Sequence, residues 1–352
     1  MVIPYPFKEM KRLIFFAFIS SLWASSDLGG YLSLGFTNSS PYGERLHTFY
    51  IPGLIIEKWG NIAPSVDFLI GGEYECDRET FPLLRAWFGY RLLTHHRVRF
   101  GVFYIPFGSY NQLHNPLFDR LIDPPMVLYE IVPTPWTDMG VVINGEIPWN
   151  SLYLTYTTYM VNGLGEGRRI RESREFLDNN REKANGGRIG ILSPKGLDMG
   201  ASWYFGTRDR DDRLRIGMLG FDGTLSLFNL ESRGEFVSAL IDFPCNSIEA
   251  LKTALGSTPL ISNLIREYKP PQRGWAYGYY LELSYNYKEK IIPVVRYGSI
   301  IYQDEFHNID MKNSRISLGF GYHPLPPILI KIEYDFNKDG SNGFFIQAGL
   351  SF

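Results

Sequence analysis

The sequence predicts an all-β fold, a closed antiparallel transmembrane β-barrel of about 16 strands whose long third extracellular loop folds into the lumen. Three observations lead to this prediction: blocks of about ten residues in which apolar and polar side chains alternate, the apolar and aromatic C-terminal stretch GFFIQAGLSF, and an N-terminal segment typical of exported proteins. The chain has 352 residues, and 16% of them are aromatic. After the N-terminal segment no run of about 18 apolar residues occurs, so strands rather than helices are expected to cross the membrane.

The first 24 residues are predicted to be a signal peptide. Three basic residues precede an apolar run at 13–23, which ends in small residues at 24–26. A charged region, an apolar region and a small-residue cleavage zone, in that order, are typical of secretory signals, and the run is too short to span a bilayer as a helix. The alternative is a buried N-terminal helix. With the signal peptide removed, residues 25–352 would form a single barrel domain.

Sixteen strands are predicted from the alternating blocks, most of them close to the 9–11 residues that a tilted strand needs to cross a bilayer. The three long connections, 106–135, 163–185 and 243–273, all fall at one end of the predicted barrel, and the other end has only short turns. This arrangement is typical of barrels whose outside loops are long and whose chain ends lie in the periplasm. A further strand near 126–132 would break the arrangement, and counts of 14 or 18 are the alternatives. The predicted strands are 28–37, 46–57, 63–75, 82–93, 96–105, 136–146, 151–162, 186–193, 197–206, 213–221, 225–242, 274–287, 291–303, 313–322, 327–337 and 343–352.

The alternation also predicts which side chains face outward, because successive side chains of a strand point to opposite faces. In the last strand Phe344 and Ile346 share the apolar face and Gln347 lies on the other. In the strand 274–287 the tyrosine and leucine residues share one face. A barrel would turn these faces toward lipid and leave a charged, hydrated interior, whereas a β-sandwich would bury them between two sheets. The export signal, the strand length and the terminal Phe352 together favour the barrel.

Arginine residues are predicted to line the bore beside the third long connection, 106–135. The neighbouring strands 82–93 and 96–105 place four arginines on the inward face, and the connection supplies acidic residues opposite them. Opposed charges across a narrow bore would tune ion selectivity, here toward a mild anion preference. Two alternatives are that lumen acids neutralise these arginines and that the connection faces outward. The predicted pore-lining residues are Arg85, Arg91, Arg97, Arg99, Asp119, Arg120, Asp123, Glu130 and Arg315, and Arg213, Arg215 and Arg296 are also predicted to face inward.

These features resemble the bacterial general porins, which share the terminal aromatic seen here as Phe352, the 16 strands and a long third loop beside an arginine-bearing wall. The segments GVFYIPFGSYNQLHNP at 101–116 and PTPWTDMGVVINGEIP at 133–148 are also similar to the phosphate-selective porin group. The resemblance implies a homotrimer in the bacterial outer membrane, in contact with lipid and lipopolysaccharide, that passes small anionic or neutral solutes by diffusion. Residues 106–135 contain Arg120 and no Lys, so the lysines expected for phosphate specificity are missing there.

An enzyme is not predicted, although a barrel hydrolase or a substrate-specific channel for phosphate or another oxyanion is the alternative function. The chain has 6 His residues, no G-x-S-x-G motif and no Cys/His spacing typical of zinc. No cofactor is expected, and the near balance of 35 basic and 37 acidic residues gives no indication of a nucleic-acid partner. A barrel that anchors the envelope would need a periplasmic domain, for which no residues are left. Cys76 and Cys245 both lie in or beside outside loops, which permits one disulfide bridge.

Overall fold

Sixteen antiparallel strands form one closed barrel in the computed structural model, which describes residues 26–39, 46–74, 83–114, 119–167, 170–174, 178, 180–243, 272–304 and 309–352. The predicted fold class and the count of 16 strands are confirmed. The strands are β1 (Ser26–Ser39), β2 (Leu46–Ala63), β3 (Val66–Glu73), β4 (Leu83–Leu93), β5 (His96–Tyr104), β6 (Thr137–Trp149), β7 (Leu152–Val161), β8 (Ala184–Ser193), β9 (Leu197–Thr207), β10 (Arg215–Leu227), β11 (Leu230–Phe243), β12 (Gln272–Tyr285), β13 (Ile291–Asp304), β14 (Ile309–Leu325), β15 (Ile328–Asn337) and β16 (Gly343–Ser351).

Helices contribute little to the described part of the chain. The helix α1 (Met126–Glu130) lies between β5 and β6, and a 3₁₀ helix, Ile170–Glu172, lies between β7 and β8. The stretch near 126–132, which was considered as a further strand, therefore contains a helix. No helix within the described ranges is long and apolar enough to cross a membrane. The predicted signal peptide and the two cysteines lie outside the described residues.

All sixteen predicted strands are present, and their boundaries shift by a few residues. One of the largest shifts concerns the hairpin of β10 and β11, whose turn was predicted at 222–224. The ladder continues through these residues and the turn lies at Phe228 and Asn229, where Phe228 has a φ of 55°. The predicted turn was wrong, because Asp222 is part of the ladder and not of a turn. Its carboxylate instead faces the interior and accepts a hydrogen bond of 3.0 Å from Arg188 Nε.

The outward face of the barrel is apolar, as the alternation predicts. In β12 Leu281 and Leu283 are 52% and 40% exposed, whereas Glu282 between them is 1% exposed. In β16 Leu350 is 44% exposed and Gln347 is 4% exposed. Period-two alternation therefore assigns the two faces of these strands correctly, and the apolar set forms the outer surface of a closed sheet.

The interior is not hydrated throughout, and this part of the prediction was wrong. Inward-facing apolar residues of β6–β13, such as Val142, Met218 and Val237, form one large buried core with the connection between β5 and β6. The reason is that this connection brings apolar side chains of its own, including Phe107 and Ile131, into contact with the wall. About half of the barrel wall therefore encloses a packed apolar region, in which some inward-facing charged residues of the same strands are also buried.

The seam between β1 and β16 closes the barrel. The register pairs Tyr31 with Ser351, and beyond it Gly30 and Phe352 exchange two main-chain hydrogen bonds of 3.0 and 3.1 Å. Beneath the seam the ring of Tyr31, which is 2% exposed, packs over Gly349. The last residue of the sequence is thus held by the sheet, and the side-chain volume available at Gly349 is set by the ring of Tyr31.

The substitution Gly349→Ala is expected to destabilise the seam. A Cβ at this position would lie 2.2 Å from Tyr31 Oη, so the buried ring would have to shift to accommodate it. We expect a loss of about 1–3 kcal/mol in the free energy of unfolding, measured by urea titration of the folded barrel in detergent micelles. The matched control is Gly321→Ala in β14, where the nearest atom lies 3.5 Å from the added Cβ. Equal stability of the two variants would contradict the packing described for the seam.

Candidate functional site: the barrel interior

The connection between β5 and β6, residues 105–136, is closed at its base by the side chain of Asn111. Its amide nitrogen donates to the carbonyl oxygens of Ile105 and Trp136 at 2.9 and 3.0 Å. Its amide oxygen accepts a hydrogen bond of 2.8 Å from the Trp136 N–H. One buried side chain therefore holds the two ends of the connection side by side, although they are 31 positions apart by residue number, from 105 to 136.

The first part of the connection is bound by β11. The carboxylate of Glu235, which is buried and faces inward, accepts hydrogen bonds from the N–H of Ser109 at 3.0 Å, from its hydroxyl at 2.9 Å and from the N–H of Tyr110 at 2.6 Å. In β9 the Ser202 hydroxyl accepts a hydrogen bond of 3.0 Å from the Gly108 N–H. These contacts supply hydrogen-bond partners to the buried main-chain N–H groups of the connection, as is usual for buried polar groups in proteins.

The middle of the connection reaches the side of the barrel opposite β5, since β13 lies halfway round the ring of sixteen strands. Glu333 of β15 accepts hydrogen bonds from the N–H groups of Ile122 and Asp123 at 2.5 and 2.9 Å. Arg296 of β13 donates to the Asp123 carbonyl at 2.5 Å. Arg315 of β14 pairs with the Asp123 carboxylate and with Asp335, the latter at 2.9 Å.

Two of the charges in this anchor are almost completely buried. The side chains of Arg296 and Glu333 are 4% and 0% exposed, and they pair with each other at 3.3 Å. Burial raises the pKa of the Asp123 carboxyl above its ordinary value, while the Arg315 guanidinium acts in the opposite direction. Removing one partner of such a buried pair is costly because it leaves the other charge without compensation.

The helix α1 packs its apolar side chains against the inner face of β12 and β13. Met126, Val127 and Leu128 are buried, and Val127 lies so close to the wall that a Cβ at Gly278 would be 3.0 Å from its Cγ2. Gly278 therefore permits the close approach of the helix to β12. The contact buries apolar surface on both sides, which stabilises the position of the helix at about 25 cal/mol per Å² of buried area.

The connection between β7 and β8 also contacts this helix. The Arg171 guanidinium lies 2.8 Å from the Glu130 carboxylate and stacks over the ring of Tyr129 at 5.0 Å. Leu164 and Ile170 from the same connection are buried in the core around the helix. Glu130, predicted to line the pore, is thus a partner of Arg171. The apolar residues within the otherwise charged connection between β7 and β8 could have indicated from the sequence that it packs inside the barrel.

The four predicted arginines of β4 and β5 fall into two groups, and the first group is paired. The Arg85 Nε lies 2.8 Å from the Glu57 carboxylate, and its guanidinium lies over the ring of Tyr104 at 4.9 Å. Arg97 pairs with Asp67 at 3.0 Å. These two arginines therefore add no net charge to the wall, which agrees with the alternative that acids neutralise part of it. Glu57 was not identified from the sequence, although it alternates with outward apolar residues.

The second group supplies the net positive charge of this wall. Arg99 stacks over the ring of Trp87 at 5.3 Å and donates a long hydrogen bond of 3.5 Å to the Asn144 amide oxygen. Arg91 is exposed and lies opposite Arg97 in the strand register of β4 and β5. Within the described part of the chain no acidic side chain forms an ion pair with Arg91 or Arg99. Their positive charges therefore remain on this wall.

The remaining predicted residues are placed differently from one another. Arg120 lies 3.4 Å from the Glu231 carboxylate of β11, and Asp119 is half-buried beside it. Arg215 does not face inward as predicted, because the apolar Ile216 next to it takes the inward position and packs in the core. The structure thus brings Asp123 and Arg315 together and leaves Arg215 on the outer surface. No cluster of three His, Cys, Asp or Glu side chains suited to a metal ion occurs among the described residues.

The substitution Glu333→Ala is expected to release the middle of the connection from the wall. It removes the acceptor of two main-chain N–H groups and leaves Arg296 without one of its buried partners. We expect a loss of about 3–5 kcal/mol in the free energy of unfolding, measured by urea titration in micelles. The control Glu146→Ala removes an exposed carboxylate of β6 and should stay within about 0.5 kcal/mol of the wild type. A Glu333→Ala barrel as stable as this control would contradict the anchoring role.

Sequence comparisons do not assign the chain to a family. No protein-family model matches the chain. An uncharacterized protein of Aquifex aeolicus (strain VF5) is 28% identical over 141 residues, which is 38% of this chain, and the chain spans only 31% of the length of that protein.

Solved structures match nearly the whole chain at low sequence identity. An anion-selective porin from Comamonas acidovorans has a TM-score of 0.62 and 11% identity, covering 93% of this chain and 98% of that chain. OmpF of Salmonella typhi gives 0.61 and 10%, with 93% and 97% covered. The trimer form of OmpT, an outer membrane protein of Vibrio cholerae, gives 0.60 and 10%, with 93% and 99% covered. The chain therefore has the sixteen-stranded β-barrel fold of bacterial outer-membrane porins.

Proposed function

We propose that the chain is an outer-membrane porin of a bacterium, which forms a water-filled channel for the passive diffusion of small hydrophilic solutes and ions. The exposed apolar outer face of the strands supports this placement, since charged residues on that face would be costly in lipid. A barrel of sixteen strands is wide enough to enclose an aqueous channel. The proposal includes export directed by residues 1–24, contact with membrane lipid and lipopolysaccharide, and a homotrimer like the trimer form of the OmpT structure.

The observation that carries the proposal is the exposure of charged side chains that face into the barrel. The side chains of Arg97 and Asp67 are 36% and 20% exposed, in contrast to the buried pair of Arg296 and Glu333 on the far wall. Asp198 of β9, which pairs with Arg188 at 3.0 Å, is 41% exposed. Because these residues point inward, their exposure supports a lumen that is open to water. Charged residues that retain water on the inner wall of a barrel are what a diffusion channel requires.

The connection between β5 and β6 narrows this lumen in our proposal. It occupies the side enclosed by β6–β13 with its apolar residues and leaves the wall of β3–β5, with its arginines, to line the remaining passage. The positive charge at the narrow part then comes from Arg91 and Arg99. The expected result is a mild anion preference, since lining charges attract or repel ions at close range.

Conductance in a planar bilayer with a salt gradient tests both parts of the proposal. The wild-type protein is expected to give step-like openings with a reversal potential displaced toward chloride. The double variant Arg91→Gln/Arg99→Gln should lower the ratio of anion to cation permeability by a few-fold, because one unit charge about 4 Å from an ion in water contributes about 1 kcal/mol. Folded protein that never conducts would refute the channel.

The matched comparison is the double variant Glu57→Gln/Arg85→Gln, which removes a paired acid and base and leaves the net charge of the wall unchanged. It is expected to move the reversal potential much less than the first variant does. If both variants shift the potential equally, Arg91 and Arg99 do not set the selectivity of the passage.

A further inference from the structure

An arginine lies over a tryptophan ring on the inner wall formed by β4 and β5. The central carbon of the Arg99 guanidinium lies 5.3 Å from the centroid of the Trp87 ring, and both side chains are half-buried. Trp87 also packs against the large apolar core. The indole therefore has a fixed position and supports the guanidinium from one side.

Two glycines lie next to this stacked pair. Gly89 is opposite Arg99 in the register of β4 and β5, and Gly101 is opposite Trp87. A Cβ at Gly89 would lie 3.3 Å from Arg99 Cγ and equally close to the Trp87 ring. The positions next to the pair therefore carry no side chain that could cover the guanidinium on the side away from the indole.

The guanidinium of Arg99 makes little use of its hydrogen-bonding capacity. It donates one long hydrogen bond of 3.5 Å to the Asn144 amide oxygen, and its Nε–H has no acceptor among the described residues. Arg91 lies diagonally across the ladder from Arg99, since Arg91 is opposite Arg97 and Gly89 is opposite Arg99. Diagonal neighbours of an antiparallel pair are about 7–8 Å apart, so one small rigid solute can contact both arginines.

A second stacked arginine on the same wall differs from Arg99. Arg85 lies over the ring of Tyr104 at 4.9 Å, but its Nε donates a hydrogen bond of 2.8 Å to the Glu57 carboxylate. Tyr104 is 7% exposed. Among the described residues of this wall, Arg99 is therefore the stacked arginine whose charge has no acidic partner.

We propose that Arg99 and Arg91 make the channel selective for planar aromatic carboxylates among small anions. The inference rests on the proposed function and names a solute class for its positively charged wall. The ring of the solute stacks on the Arg99 guanidinium, on the side away from Trp87, because planar guanidinium groups stack on aromatic faces. The carboxylate pairs with Arg91. Both contacts are weak enough for the solute to leave again, as conduction requires.

Reversal potentials with a different anion on each side of a planar bilayer test the proposal. Benzoate has a flat aromatic ring, and cyclohexanecarboxylate has a puckered aliphatic ring of similar size. Both are fully ionised at neutral pH, and each is measured against chloride. We expect the wild-type channel to be about two- to fivefold more permeable to benzoate, which is the effect of one cation–π contact at a partly exposed site. Contact with apolar surface alone would not favour benzoate, since the aliphatic ring is the more apolar of the two.

The variant Arg99→Lys keeps the charge and removes the planar group. The ratio of benzoate to cyclohexanecarboxylate permeability should then fall to about one, because an ammonium is a compact charge without a face for stacking. The matched comparison is Arg97→Lys, which makes the same change at an arginine that pairs with Asp67 at 3.0 Å. It should lower the ratio much less. Equal permeability of the two solutes in the wild type, or equal ratios in the two lysine variants, would overturn the inference.

Chloride currents measured on the same preparations separate this inference from the proposed function. A channel that conducts chloride but does not distinguish the two carboxylates would overturn the solute class alone. Folded protein that never conducts would refute the channel, and the solute class with it.

Discussion

The arrangement of the barrel interior depends on one set of contacts. These are the hydrogen bonds and ion pairs that join the connection between β5 and β6 to inward-facing residues of β13–β15. Glu333, Arg296 and Arg315 are fully or almost fully paired, and their partners include main-chain groups of the connection. Buried charges of this kind contribute little net stability, but each member is costly to remove. Their effect is to specify one position for the segment across the barrel.

That position divides the interior of the barrel into a region packed with apolar side chains and a region whose charged side chains contact water. On the side of β6–β13, apolar residues of the wall and of the connection exclude water and pack as a globular core would. On the side of β3–β5, charged side chains keep part of their surface in water. On one side this barrel packs like a soluble domain, and on the other its inward-facing charged side chains remain in contact with solvent.

The sequence predicted the fold well because the alternation of side chains is a local property of each strand. It assigned the faces of β12 and β16 and the count of sixteen strands without any knowledge of contacts between distant residues. The pairing of Arg85 with Glu57 and the contact of Arg171 with Glu130 could not be predicted in this way, because each joins residues from separate elements. The prediction that Arg215 faces inward was wrong for the same reason. Ile216 packs against apolar residues of other strands in the core, and its neighbour Arg215 therefore points outward.

The sequence separation of the anchor has a consequence for biogenesis. Ile122 and Glu333 are 211 positions apart along the chain, so the connection stays without this support until the last strands have been synthesised. The apolar residues of α1 likewise stay uncovered until β12 and β13, against which they pack, have been synthesised, and a chain in this condition is prone to aggregation. During transit through an aqueous compartment, chaperones that bind extended apolar segments would therefore have to protect this connection as well as the strands.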